Sequence, residues 1–130
     1  MKVICDYCGK AAKLVGGTAL YPHRPDLARL QFWQCEPCSA HVGCHKGTTT
    51  PLGRLADKDL REAKQQAHSL FDPIWKDGRK TRSDAYSWLA LKLGIKRSEC
   101  HIGLFNVETC GKVVQICQQE NAEYDSQNWY

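Results

Sequence analysis

Two stretches, Cys5-Asp-Tyr-Cys8-Gly9 and Cys35-Glu-Pro-Cys38, decide the fold of this chain. Each sets two cysteines two residues apart, so both sulfurs of one tight turn can converge on a single ion. Two such knuckles supply the tetrahedral four-thiolate shell that zinc favours. The 26 residues between Cys8 and Cys35 have room for two or three short strands, which makes the front of the chain a zinc ribbon. Gly9, directly after Cys8, helps the first knuckle turn. Four thiolates leave no open position for water, so the one expected zinc ion is structural rather than catalytic. A pair of redox dithiols is the rival reading, but that motif opens a helix in a βαβ setting, which is absent here. A ribbon this small cannot order itself by hydrophobic burial alone. Zinc binding, roughly 10 kcal/mol or more, then becomes folding free energy.

Around the knuckles, short β-prone runs at 12–15, 18–21, 30–34 and 40–44 alternate with Gly and Pro. Gly16-Gly17 lies between the first two runs and reads as a hairpin turn. Tyr21-Pro-His-Arg-Pro-Asp26 cannot continue a central strand, because its prolines lack the N–H a ladder requires, so it forms a loop at the ribbon's far end. Residues 46–56 are a turn-rich connector. Beyond them Leu60, Ala63, Ala67, Leu70, Phe71 and Ile74 fall on one helical stripe, with Asp57 as N-cap and Pro73 ending or kinking the helix near Phe71. A second helix is predicted over 84–93, capped by Ser83 and stopped by Gly94. A third starts after Asn106 and places Val107, Cys110, Val113, Val114 and Cys117 on one face. The last ten or so residues are polar and expected to fray. The expected fold is α+β: a four-cysteine ribbon (1–45), a connector (46–56), and a three-helix unit with a polar tail (57–130) on which the ribbon packs.

Eight cysteines in 130 residues could signal disulfides. Met1-Lys-Val-Ile-Cys5 lacks the apolar region of a secretory signal, and paired Cys-x-x-Cys favours a cytoplasmic metal site. No stretch approaches the roughly 18–20 apolar residues of a membrane span. The net charge is +4, distributed as +4 over 1–54, +4 over 55–97 and −4 over 98–130. A basic body with an acidic tail is compatible with nucleic-acid contact and equally with a solvated surface.

Several other residues invite a role. His41, Cys44 and His45 could form a second metal site, but adjacent side chains diverge on a strand, and packing is the simpler reading. Cys110 and Cys117 are small core hydrophobes, and Cys100-His101 packs on the last helix rather than ligating. Asp57, Asp59, His68 and Asp72 could be assembled into a nuclease-like cluster. A cap, a dipole partner and an i,i+4 pair account for them without chemistry. There is no phosphate loop, no Gly-x-Ser-x-Gly and no His-Glu-x-x-His. Basic and polar residues surround a few aromatics: Tyr21, His23, Arg24, Arg29, Phe32 and Trp33 on the ribbon, Lys46, Thr48–Thr50 and Arg54 on the connector. A second basic segment holds Trp75, Lys76, Arg79, Lys80 and Arg82. Lys and Arg neutralise phosphates, and exposed aromatics stack on bases. The plain alternative is that Phe32, Trp33 and Trp75 are core and the charges merely solubilise.

Taken together, the knuckles, His41-Val-Gly-Cys-His-Lys-Gly-Thr48, Pro51-Leu-Gly-Arg-Leu-Ala-Asp57, Phe71-Asp-Pro-Ile-Trp75, Ala85-Tyr-Ser-Trp-Leu-Ala90 and Cys100-His-Ile-Gly103 resemble a phage and prophage family of zinc-finger-containing domain proteins. The resemblance covers nearly the whole chain. It implies zinc and a viral or prophage origin, hence the cytoplasm of a bacterial host, and assigns no activity. The favoured expectation is a non-enzymatic accessory protein that contacts nucleic acid or a nucleoprotein complex, without membrane or small-molecule substrate. Its phosphate contacts are expected from Arg24, Arg29, Lys46 and Arg54, with Arg79, Lys80 and Arg82 as a second group. The second expectation is an inhibitor that binds a host defence protein, such as a CRISPR effector, or a transcription machine. The third is a metal-dependent nuclease.

Overall fold

Strands β1 (Lys13–Gly16), β2 (Gln31–Cys35) and β3 (Ala40–Gly43) pair antiparallel in chain order. Their register sets Trp33 opposite Leu14 and Val42, and Phe32 opposite Val15 and Gly43. Because side chains alternate along a strand, Trp33, Cys35, Ala40 and Val42 share one face. There they meet Cys5, Ala12 and Leu55 to form a small core. Phe32, Gln34, Val15, Lys13 and His41 take the opposite face. The computed structural model describes residues 1–127, and its chain divides into two compact units, Met1–Asp59 and Leu60–Tyr130.

Within the first unit, one expected strand is absent. Residues 18–21 do not pair with residues 12–15, and Gly16-Gly17 is not a hairpin turn. Instead Gly17–Leu20 forms a single helical turn (α1), a 3-10 turn follows at Pro25–Leu27, and the chain then re-enters the sheet as β2. The reason lies at Gly17. A Cβ there would fall 1.7 Å from the Leu27 carbonyl oxygen. The Gly17 N–H donates to the Leu30 carbonyl at 2.8 Å. Gly17 thus serves a close approach between the two ends of the loop, which a glycine pair does not distinguish from a turn. Residues 46–56 fold back along β3. His41 and Ala56 exchange backbone hydrogen bonds at 3.0 and 2.9 Å, and Leu52 N–H donates to Gly43 at 2.9 Å. The buried Trp33 indole N–H is satisfied by the Thr49 carbonyl at 2.7 Å.

The second unit is helical. α2 (Lys58–Lys76) opens directly after Asp57 and buries Leu60, Ala67, Phe71 and Ile74, as its periodicity predicts. Pro73 does not end it. Proline inside a helix costs about 3 kcal/mol, but Phe71 and Ile74 are fully buried on either side of it, and that burial carries the helix through to Lys76. α3 (Arg82–Leu93) starts two residues earlier than the sequence suggests. Its cap is Thr81, whose side chain accepts from the Asp84 N–H, not Ser83. Gly94 ends it in the left-handed conformation, φ 71°, as expected. Thr81→Ala should therefore cost about 1 kcal/mol in a thermal melt, whereas Ser83→Ala should cost only a few tenths.

α4 (Val107–Gln127) buries Cys110, Val113 and Cys117, while Val107 is exposed. The helix continues through the polar stretch as far as Gln127. The Asn121 amide donates to the Leu70 carbonyl at 3.1 Å, and the Tyr124 ring lies 4.1 Å beneath the Arg79 guanidinium. Residues 128–130 of that tail lie outside the described residues. Phe71 packs on Tyr86 of α3 with ring centroids 4.7 Å apart. Cys100, Cys110 and Cys117 are fully buried, and burial pushes the Cys117 thiol up to about 12, so it behaves as a small apolar side chain. Among the described residues no helix is long and apolar enough to cross a membrane.

Candidate metal centre

The two cysteine pairs arrive from different parts of the first unit. Cys5 and Cys8 sit on a knuckle in which the Gly9 N–H donates to the Cys5 carbonyl at 2.8 Å and the Cys5 N–H to Lys10 at 2.9 Å. Gly9 closes this turn at φ 75°, a conformation that a side chain would strain. Cys35 ends β2, and Cys38 lies in the turn to β3, where the Ser39 N–H donates to Glu36 at 3.0 Å. The sheet thus brings the second knuckle back beside the first.

The four sulfurs all lie within 4.8 Å of one another, and those of Cys8 and Cys35 are 3.6 Å apart. Four sulfurs bound at about 2.3 Å to one tetrahedral ion would sit about 3.8 Å apart, close to the spacing found here, so the cluster fits zinc. The donor set agrees: four sulfurs and no oxygen suit a borderline-soft dication. No disulfide competes for these thiols.

Crowding and burial spread the titration of Cys8, Cys35 and Cys38. The Cys8 thiol is lowered to about 7, chiefly by the Lys10 backbone N–H. The Cys38 thiol is pushed up to about 12, by burial first and then by the neighbouring sulfurs. At Cys35 the Cys38 backbone N–H favours the thiolate, yet burial and the adjacent sulfurs prevail and raise it. Sulfurs this close resist ionising together, and a dication among them reverses that balance. Cys5, Cys8, Cys35 and Cys38 hold one structural zinc ion. Among the described residues they are the one group able to hold a metal.

The other sequence candidates are dispersed. His41 is part of a three-ring cluster: its Nε2 lies 2.8 Å from the Tyr21 hydroxyl, and its ring is 5.9 Å from Phe32. Cys44 packs against the small core, where burial raises its thiol. His68 and Asp72 form the predicted i,i+4 pair, Nδ1 to Oδ1 at 3.1 Å, and no metal-competent group gathers Asp57 and Asp59 with them.

The basic residues separate into two kinds. Arg24 is clasped by Asp26 through two hydrogen bonds of 2.9 and 2.8 Å, and the guanidinium holds that carboxyl below its usual range. Arg54 faces Asp6 at 3.4 Å. Arg79 is bonded to Asp77, covers Tyr124, and exposes only 11% of its side chain. Lys80 lies over Trp88 and Arg82 over Trp75 and Tyr86. Arg29 and Lys46 differ. They flank one groove of about 470 Å³ that also contains Phe32, Leu52 and Thr48. The aromatic cluster of Tyr21, Phe32 and His41 went unrecognised in the sequence, although the alternation of β2 and β3 already separates Phe32 and His41 from the core-facing Trp33 and Val42.

Residues 1–120 match a family described as a zinc-finger-containing domain. No curated protein and no solved structure matches the chain.

Proposed function

The chain belongs to the zinc-finger-containing domain family, and from that footing we propose that it is a non-enzymatic phage or prophage accessory protein that binds nucleic acid through its zinc-organised unit. The observation that carries this reading is the groove flanked by Arg29 and Lys46. It combines two cations, a half-buried aromatic ring and the Thr48 hydroxyl, and no carboxylate lines it. Phosphates seek such cations, and the excess of positive charge over residues 1–54 steers a polyanion towards them. The phage origin is supported by the resemblance set out above, and the non-enzymatic role by a zinc whose four ligands leave no position for substrate.

Salt dependence tests the reading. Binding to a labelled oligonucleotide should weaken linearly in log–log terms as salt rises. The double reversal Arg29→Glu with Lys46→Glu should cut the slope by about one and a half to two, with stoichiometric zinc retained. An inhibitor of a host defence or transcription protein would behave differently. It would capture that protein one-to-one from lysate, would survive nuclease treatment, and would show no salt-sensitive affinity for free nucleic acid. That outcome would replace the present reading.

A further inference from the structure

We propose that the open face of the sheet is a binding track for single-stranded nucleic acid, with bases stacking on Phe32 and Tyr21 between two basic ends. This rests on the nucleic-acid reading above and adds which strand form is bound and where.

Three observations converge on this face. Its centre holds the aromatic cluster: Tyr21 lies 5.7 Å from both Phe32 and His41, and none of the three rings is fully buried. At one end lies the groove of Arg29 and Lys46. At the other, the register places Lys13 beside Gln34 on the same face as Phe32, where a second cleft of about 550 Å³ is lined by Lys10, Lys13 and Val15. Glu36 is the single carboxylate lining either cleft. Cations at both ends and rings between them match the alternation of phosphates and bases along one strand.

The strand form follows from shape. β2 is five residues long, so the face extends about 17 Å, the reach of only a few nucleotides. Duplex bases are stacked on one another and cannot lie flat on protein rings, whereas unpaired bases can. An acidic peptide would leave the rings unused. Leu30 and Leu52 stand exposed beside the groove, so binding to anionic vesicles without any affinity for single strands would overturn the track. The charge and the rings together favour a polynucleotide.

The test compares oligothymidylate and oligouridylate of about 12 nucleotides with a duplex of the same length, by fluorescence anisotropy on the zinc-loaded protein. Single strands should bind more tightly than duplex. Phe32→Ala should weaken that binding about 5- to 150-fold, Phe32→Trp should restore it, and Lys13→Ala should lower the salt slope by about 0.7. If Phe32→Ala loses zinc or fails to fold, ultraviolet cross-linking of wild-type protein to oligothymidylate decides instead, with adducts expected in peptides containing Tyr21 or Phe32. Equal or tighter duplex binding, indifference to Phe32→Ala with zinc retained, or adducts confined to other peptides would each overturn the track while leaving nucleic-acid binding standing. Absence of salt-sensitive binding to any strand would remove both.

Discussion

Exchange of Cys35 for serine is expected to unfold the first unit, residues 1–59, while the helices of the second persist. The small core of that unit contains Cys5, Ala12, Trp33, Cys35, Ala40 and Leu55, so two of its six members are metal ligands and only Trp33 and Leu55 are large. No apolar assembly of this size orders so many residues by itself. Zinc contributes on the order of 10 kcal/mol or more in comparable sites, similar to the entire stability of an ordinary domain at roughly 5–15 kcal/mol. Hydrogen exchange should therefore show amide protection lost across β1, β2 and β3 in Cys35→Ser, and likewise in wild type after chelation. The second unit has its own core of Phe71, Ile74, Leu89, Val113 and Cys117, and far-ultraviolet dichroism should retain its helical signal. Protection of Trp33 undiminished in Cys35→Ser would falsify the structural role of the metal. Acid should act in the same direction. Without metal Cys38 holds its proton up to about 12 and Cys8 up to about 7, so zinc must displace protons to bind, and its affinity should fall as pH drops, more steeply below about 7.

Phe71→Ala is the counterpart in the second unit. The ring is fully buried and packs on Tyr86 at 4.7 Å, so truncation leaves a cavity between α2 and α3. Such losses cost about 3–5 kcal/mol, a large share of what a unit of this size possesses. A calorimetric melt should place its transition ~12 °C or more below wild type. Zinc content should stay stoichiometric, since no ligand is touched. Leu91→Ala, at a side chain 83% exposed, is the control and should change little. A Phe71→Ala melt indistinguishable from that control would mean that the core is not where the burial places it.

What could be read in advance depended on how local the physics was. The knuckles were legible because two residues between cysteines is a geometric requirement of the turn itself. β2 and β3 were legible to within a residue from their β-prone runs between turn residues, and the stripe of α2 from its period. The errors share a non-local cause. Gly17 answers to the Leu27 carbonyl ten residues away, which no window around Gly16-Gly17 contains. Pro73 obeys the burial of Phe71 and Ile74 more than its own preference. Thr81 and Ser83 are equivalent caps by composition, and only the start of α3 chooses between them. The basic residues divide likewise. The acids at i+2 from Arg24 and i−2 from Arg79 were visible in the chain, whereas the Asp6–Arg54 pair spans 48 residues and required the fold.

The return of residues 51–56 along β3 has a further effect. A strand at the border of a sheet normally offers unpaired amides to any passing chain. Here Ala56 takes both backbone groups of His41 and Leu52 takes the Gly43 carbonyl, so a second molecule finds most of the ladder on that flank occupied. Fibril-like self-association by strand addition is thereby discouraged at β3.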